Sequence, residues 1–174
     1  MQMAFENTVD QHRDRVFTYA WYCLGDRDDA EDVTQEVLVR LWRNWGELEE
    51  ARVVPWLIHV TRNLCIDTMR RRKTYRGMVR DDPEGVAMNQ VASPTPAPNE
   101  LVESSEFSAH VQRALLQVPE PYRSIVILRE VQDYRYEEIA AALQMPLNTV
   151  KVYLHRGRRK LRDGLQELVR DVTP

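Results

Sequence analysis

The sequence predicts an all-α protein: two small helical domains joined by a Pro-rich flexible linker, the second containing a helix-turn-helix. Three observations lead there. Apolar side chains recur at helical rather than alternating spacing in each periodic stretch. The period is lost and large apolar residues become few over residues 81–103, where Pro83, Gly85, Pro94, Pro96 and Pro98 crowd together. Residues 136–165 then show a short amphipathic run, a brief break and a longer amphipathic run. The expected division is residues 1–80, a tether over 81–103, and residues 104–174.

The first helix is expected from about Phe5 to Leu24, carried by Val9, Val16, Phe17, Ala20 and Leu24 and ended at Gly25 and Asp26. The second begins near Arg27 to Ala30, because Asp28, Asp29, Glu31 and Asp32 suit the unpaired N–H groups of a first turn. Its apolar face is Ala30, Val33, Val37, Leu38, Leu41, Trp42 and Trp45, and Gly46 ends it. Pro55 suits the first turn of a third helix, where its missing N–H costs nothing. Trp56, Leu57, Val60, Leu64 and Met69 give that helix its buried stripe, and Arg62 with Arg70, Arg71, Arg72 and Lys73 makes it leave the core as a basic spike.

Beyond the tether, Phe107, Val111, Ala114, Leu115 and Val118 form one stripe, and Pro119 and Pro121 restart the chain into a helix carrying Tyr122, Ile125, Val126, Leu128 and Arg129. Ile139, Ala140 and Leu143 then face inward, residues 144–147 break the chain, and Val150, Leu154, Leu161 and Leu165 resume an inward face. The second of two helices joined in this way enters a major groove with its first turns nearest the base edges. Asn148, Thr149, Lys151, Val152 and His155 are placed there, with Arg156, Arg158, Arg159 and Lys160 in position for phosphates or bases further along.

Formal charge is only −3, but its distribution matters more, since a partner feels the local field. Residues 1–50 hold five basic and twelve acidic side chains, a net of −7; residues 51–80 carry +7, residues 81–110 carry −6 and residues 151–174 carry +4. Such alternation suits two DNA-facing surfaces and one protein-facing surface. Trp56 and Tyr75 offer flat faces for unstacked bases, although Trp56 beside Pro55 also suits a core or capping place.

Enzyme chemistry finds little support. His12, His59, His110 and His155 are scattered, and there is no HExxH motif or glycine-rich phosphate loop. The acidic cluster from Asp28 to Asp32 lacks a His partner, so neither a metal nor a cofactor is expected. Cys23 and Cys65 stand 42 residues apart outside any CxxC pair, which points to two half-buried thiols in a reducing cytosol rather than a zinc site or disulfide scaffold. The start of the chain has no basic-then-apolar leader and no window is apolar enough to span a bilayer, so a cytoplasmic protein without stable membrane insertion is expected.

Several motifs, in order, resemble one family. DAEDVTQEVLVRLW at 29–42, PWLIHVTRNLCIDTMRRR at 55–72, VPEPYR at 118–123, YEEIA at 136–140 and NTVKVYLHRGR at 148–158 are similar to bacterial RNA polymerase sigma factors of the extracytoplasmic-function group. The resemblance implies that Asp29, Asp32, Gln35, Glu36, Arg40, Leu41 and Trp42 lie in the helix that docks on the clamp coiled coil of core RNA polymerase. It places residues 46–54 in a loop that accepts a flipped base, and Trp56, Arg62, Asn63, Asp67, Arg70 and Arg71 where the −10 element is engaged. It assigns the −35 element to Asn148, Thr149, Lys151, Val152, His155, Arg156 and Arg159. The implied mechanism is capture of unpaired promoter bases, offsetting a few kcal/mol of unstacking per step without covalent chemistry. An anti-sigma factor is an implied further partner.

The chain departs from the family pattern at Gln144 and Asn148, where Gly is common, and at Val152 and Tyr153, where Ser-Arg is common. The −35 base preference therefore does not carry over, while the fold is expected to survive because Asn tolerates a helix start. Gly157 costs about 1 kcal/mol within a helix, and the sequence alone gives it no purpose. The competing reading is a stand-alone helix-turn-helix regulator that binds duplex DNA as a dimer; it leaves the pattern in the first half unexplained.

Overall fold

A computed structural model describes residues 2–80 and 102–172, and their regular elements are all helical. The first three helices, α1 (Gln2–Leu24), α2 (Arg27–Asn44) and α3 (Glu50–Arg80), pack on one another. Gly25 turns the chain between α1 and α2 at φ +70°, a left-handed conformation that a Cβ disfavours, and an added Cβ would also meet Leu116. Asp26 caps α2, its carboxylate accepting from the Asp29 N–H at 2.9 Å. One stripe of α2, comprising Ala30, Val33, Thr34, Val37 and Leu41, is buried; Trp42, expected in that face, lies outside it.

Helix α3 begins earlier than Pro55. The Arg52 N–H bonds to the Glu49 carbonyl at 2.8 Å and Val53 is buried one turn before Leu57, so an apolar face already exists upstream of the proline. Pro55 therefore sits inside the helix, and the expected loop over residues 46–54 contracts to the turn that precedes Glu50. The buried face of α3 is Val53, Leu57, Ile58, Thr61, Leu64 and Cys65. Thr61 is admitted because its hydroxyl donates to the Leu57 carbonyl at 2.6 Å. Trp56, Val60 and Met69 are only partly covered.

The second group starts with α4 (Val102–Gln117), so Val102 and Glu103 are helical rather than part of the tether; the rest of the expected linker lies outside the described residues. Phe107, expected inside, is 69% exposed, whereas Ala114, Leu115 and Val118 are fully buried. Next, α5 (Tyr122–Val126) continues into a π-helical turn over Ile127–Val131, closed by the Gln132 N–H on the Ile127 carbonyl at 3.1 Å. A reversal through Asp133 leads to α6 (Tyr136–Leu143), begun by Glu138 accepting from the Arg135 N–H at 2.7 Å. Gln144 ends α6 in the left-handed region at φ 53°, ψ 44°, and α7 (Leu147–Val172) follows. Gly157 has a purpose after all: it is buried where α7 crosses α5, and a Cβ there would fall 2.5 Å from Val126 Cγ2 and 3.2 Å from the Tyr122 carbonyl oxygen.

One apolar cluster runs through both groups of helices, and a polar seam lies between them. Arg15 donates to the Gln132 carbonyl and the Gln132 side chain donates back to the Arg15 carbonyl, both at 2.6 Å. The Arg15 guanidinium also lies 4.2 Å from the centre of the Tyr134 ring. The Tyr19 hydroxyl donates to Ser124 Oγ at 2.8 Å, and Ser124 in turn donates to Glu120 Oε2 at 2.5 Å. Buried Arg123 donates to the carbonyls of Val118, Leu116 and Cys23 and to the Met69 sulfur, all within 2.8–3.0 Å.

Two backbone positions give opposite expectations. Gly157→Ala gains about 1 kcal/mol of helix propensity but loses about 1–3 kcal/mol to overpacking, so the variant is expected to be the less stable protein. Gln144→Gly relieves a left-handed Cβ and is expected to add about 0.5–1 kcal/mol. Urea unfolding followed by tryptophan fluorescence checks both signs.

Candidate functional site

The residues singled out by sequence fall on three helix surfaces rather than in one cleft. On α2, Asp28, Asp32, Gln35, Val39 and Trp42 are exposed at intervals of three and four residues and so share a face. Glu36 and Arg40 flank it and pair with each other at 2.7 Å. Trp42 is 61% exposed and Val39 42%, which gives an otherwise acidic face an apolar patch. Phe5 of α1 holds the Trp42 ring edge-on, with centroids 5.1 Å apart. Leu41 is fully buried and serves the core. Asp29 is engaged within the fold by a salt bridge to Arg72. Val39 is absent from the residues the sequence singles out on this helix; its register with Gln35 and Trp42 is the signal that finds it.

On α3, Trp56, Asn63, Asp67 and Arg70 follow one another along a single face. His59 joins them, its Nε2 lying 3.0 Å from the Asn63 amide, and sequence reasoning had not selected it. Arg70 is exposed and only loosely paired with Asp67 at 3.8 Å. Arg71 is exposed too, its Nε reaching the Asp67 carbonyl at 3.4 Å. Arg62 turns away from this face and donates to Ser124 Oγ of the second group at 3.3 Å. Arg72 is not part of the open basic surface: it donates to the Leu24 carbonyl at 2.9 Å and pairs with Asp26 and Asp29, fastening α3 to the α1–α2 turn.

On α7 the selected residues come together. Asn148, Lys151, Val152, His155, Arg156 and Arg159 are exposed and Thr149 is half-buried, while Val150, Leu154 and Gly157 face the core. The departure at Val152 and Tyr153 has a structural reading: Val152 points outward at 47% exposure, and Tyr153 turns in to meet Tyr122 edge-on at 5.1 Å. Arg158 leaves the basic set, since its Nε and Nη2 both contact Glu130 Oε1, at 2.8 and 2.6 Å. That carboxylate raises the guanidinium's pKa above its ordinary value. Among the described residues no group of three or more His, Cys, Asp or Glu is placed to hold a metal, and no helix is long and apolar enough to cross a membrane.

An all-helical chain with an acidic apolar-centred face, a basic helix end and an exposed basic helix has the make-up of a nucleic-acid-binding regulator that also meets a protein partner. Residues 8–75 match the Sigma-70 region 2 family and residues 109–161 match Sigma-70, region 4. The chain is 32% identical over 171 residues to the ECF RNA polymerase sigma factor SigW of Bacillus subtilis, covering 96% of this chain and 91% of that protein. It is 35% identical over 162 residues to the corresponding SigE of Mycolicibacterium smegmatis, covering 93% of this chain but 62% of that longer protein. The sigma factor RpoE of Bartonella quintana, solved with the anti-sigma factor NepR, shares the fold with a TM-score of 0.72 at 24% identity, covering 94% of this chain and 97% of that one. CnrH, solved with the cytosolic domain of CnrY, does so at 0.67 and 21%, covering 96% and 90%.

The chain belongs to the extracytoplasmic-function RNA polymerase sigma factors. It is therefore a transcription initiation factor that binds core RNA polymerase and promoter DNA, and not an enzyme. A family match in both halves leaves the stand-alone dimeric regulator without support.

The four-residue basic run on α3 is expected to divide on mutation. Arg72→Met removes hydrogen bonds to charged partners and should cost about 1.5–3 kcal/mol of unfolding free energy. Arg71→Met, on the exposed side, should change it by less than about 0.5 kcal/mol. Urea titrations of the two variants against the parent measure the difference.

Proposed function

We propose that this sigma factor distributes its work over three surfaces. Asp32, Gln35, Glu36, Arg40 and Trp42 on α2 dock on core polymerase, with Asp29 and Leu41 holding that helix in place. Trp56, Arg62, Asn63, Asp67, Arg70 and Arg71 on α3 engage the −10 element, and unpaired bases are captured against its aromatic and polar face. Helices α6 and α7 act as a helix-turn-helix in which Asn148, Thr149, Lys151, Val152, His155, Arg156 and Arg159 meet the −35 element. The observation that carries this reading is the outward convergence of six of those seven α7 side chains beside a buried face of Val150, Leu154 and Gly157.

Residues 1–80 and 102–174 act as separate domains on a promoter, tethered by the proline-rich stretch between them. Because the Arg62 guanidinium is bonded to Ser124 across the seam, its use at the −10 element requires the two groups to part. The packed form is the one an anti-sigma factor would hold, a partner supported by the relatives solved with NepR and with CnrY. The factor acts in the cytoplasm, where core polymerase is found.

Transcription from a promoter library with purified core polymerase, with and without the chain, tests the role; start sites are expected only when it is present. Trp42→Ala is expected to weaken core binding by roughly tenfold or more, as loss of a central aromatic anchor does. Duplex binding should respond separately. Arg159→Ala is expected to lower affinity for −35 DNA by about fivefold to a hundredfold while leaving core binding intact, measured by titration at fixed salt.

A further inference from the structure

Val152 is out of character with the surface around it. Among the described residues of α6 and α7 it is the large hydrophobic side chain left exposed, at 47%. Its neighbours on the helix surface are Asn148 and Arg156, four residues away on either side, His155 three residues on, and Lys151 just before. All four are exposed and carry hydrogen-bonding groups. Val152 carries none.

The direction of this side chain is fixed from beneath. Val150 and Leu154, two residues to either side, are buried, and winding of about 100° per residue places Val152 opposite the midpoint between them. The packing of α7 leaves it no freedom to roll. Gly157 is wedged against α5, where a Cβ would stand 2.5 Å from Val126 Cγ2. Tyr122 meets Tyr153 edge-on at 5.1 Å, and Glu130 holds Arg158 at 2.6 Å. A β-branched side chain in a helix also keeps essentially one χ1 rotamer, so the two methyl groups stand in one place instead of sweeping the surface.

A pair of methyl groups that neither donates nor accepts can tell few base edges apart. In the major groove only thymine presents an apolar group, its C5 methyl; the edges of guanine, adenine and cytosine offer N7, O6, N6 and N4. Pressing Val152 onto one of those polar atoms strips it of water with no bond in return. Pressing it onto the thymine methyl buries apolar surface on both sides. We propose that Val152 is a specificity-determining residue that reads the C5 methyl of one thymine within the −35 element. The inference rests on α7 being the helix that binds that element, and it adds the chemical group recognised at one position.

The test uses holoenzyme assembled from the full chain and core polymerase. A randomised duplex library yields the −35 element it selects, and each thymine of that element is then replaced in turn by deoxyuridine, which lacks only the methyl group. At one position the replacement is expected to weaken binding about threefold to fivefold, the worth of one buried methyl. In Val152→Ser the thymine-to-deoxyuridine ratio at that position should fall to about one, and library selection there should lose its preference for thymine. That ratio is a readout that a general loss of folding or affinity does not move. A selected element with no deoxyuridine-sensitive thymine, or a sensitivity that Val152→Ser retains, would overturn the inference while leaving α7 as the −35 helix. Failure to select any −35 element would instead remove the assignment of α7, and the inference with it.

Discussion

A helix that ends inside a protein must find donors for its last carbonyls, and the end of α1 sets this requirement for the whole chain. Three of its last four carbonyls are met by side chains from elsewhere. Gln112 donates to Trp21, Arg123 to Cys23 and Arg72 to Leu24. Two of these donors are cations, which suits the negative end of a helix dipole. Since α1 has no basic residue in its own last turn, α3, α4 and α5 all have to converge there, and Gly25 lets α4 approach closely enough to do so.

That convergence sorts arginines that look alike in sequence. Arg72, Arg123 and Arg158 are tied to partners on other elements, whereas Arg70 and Arg71 reach only Asp67 on their own helix and Arg156 and Arg159 are exposed. A basic cluster is thus a mixture of scaffold and surface, with neighbours one residue apart assigned oppositely because α-helical winding turns them by about 100°. The local field that nucleic acid meets is carried by fewer cations than a count of the cluster implies.

Most helices were legible because their apolar spacing and caps are local properties: Gly25 and Asp26 between α1 and α2, the acidic start of α2, and the break at residues 144–147. The −35 candidates were legible for the same reason, since exposure on α7 follows from its period. What escaped depends on distant neighbours. Pro55 does not start α3, because Val53 already has a core to enter. Phe107 lies outside, although it fits the α4 stripe, because the helices around it leave that position open. The use of Gly157 depends on Val126 and Tyr122, which cannot be seen in spacing along the chain. Arg62 turns toward Ser124 for the same non-local reason.

The π-helical turn at Ile127–Val131 holds one residue more per hydrogen-bonded ring than an α-helix does. In effect it is an insertion absorbed inside a helix, and it sets the phase of everything that follows. Deleting one residue there would let α-helical winding resume and rotate Gln132 by about 100°, away from the Arg15 backbone it now pairs with. The geometry by which the two groups of helices hold one another is thus encoded in a residue count, and length variation in this short stretch is a route by which relatives of this fold could loosen or tighten the same embrace without altering either surface.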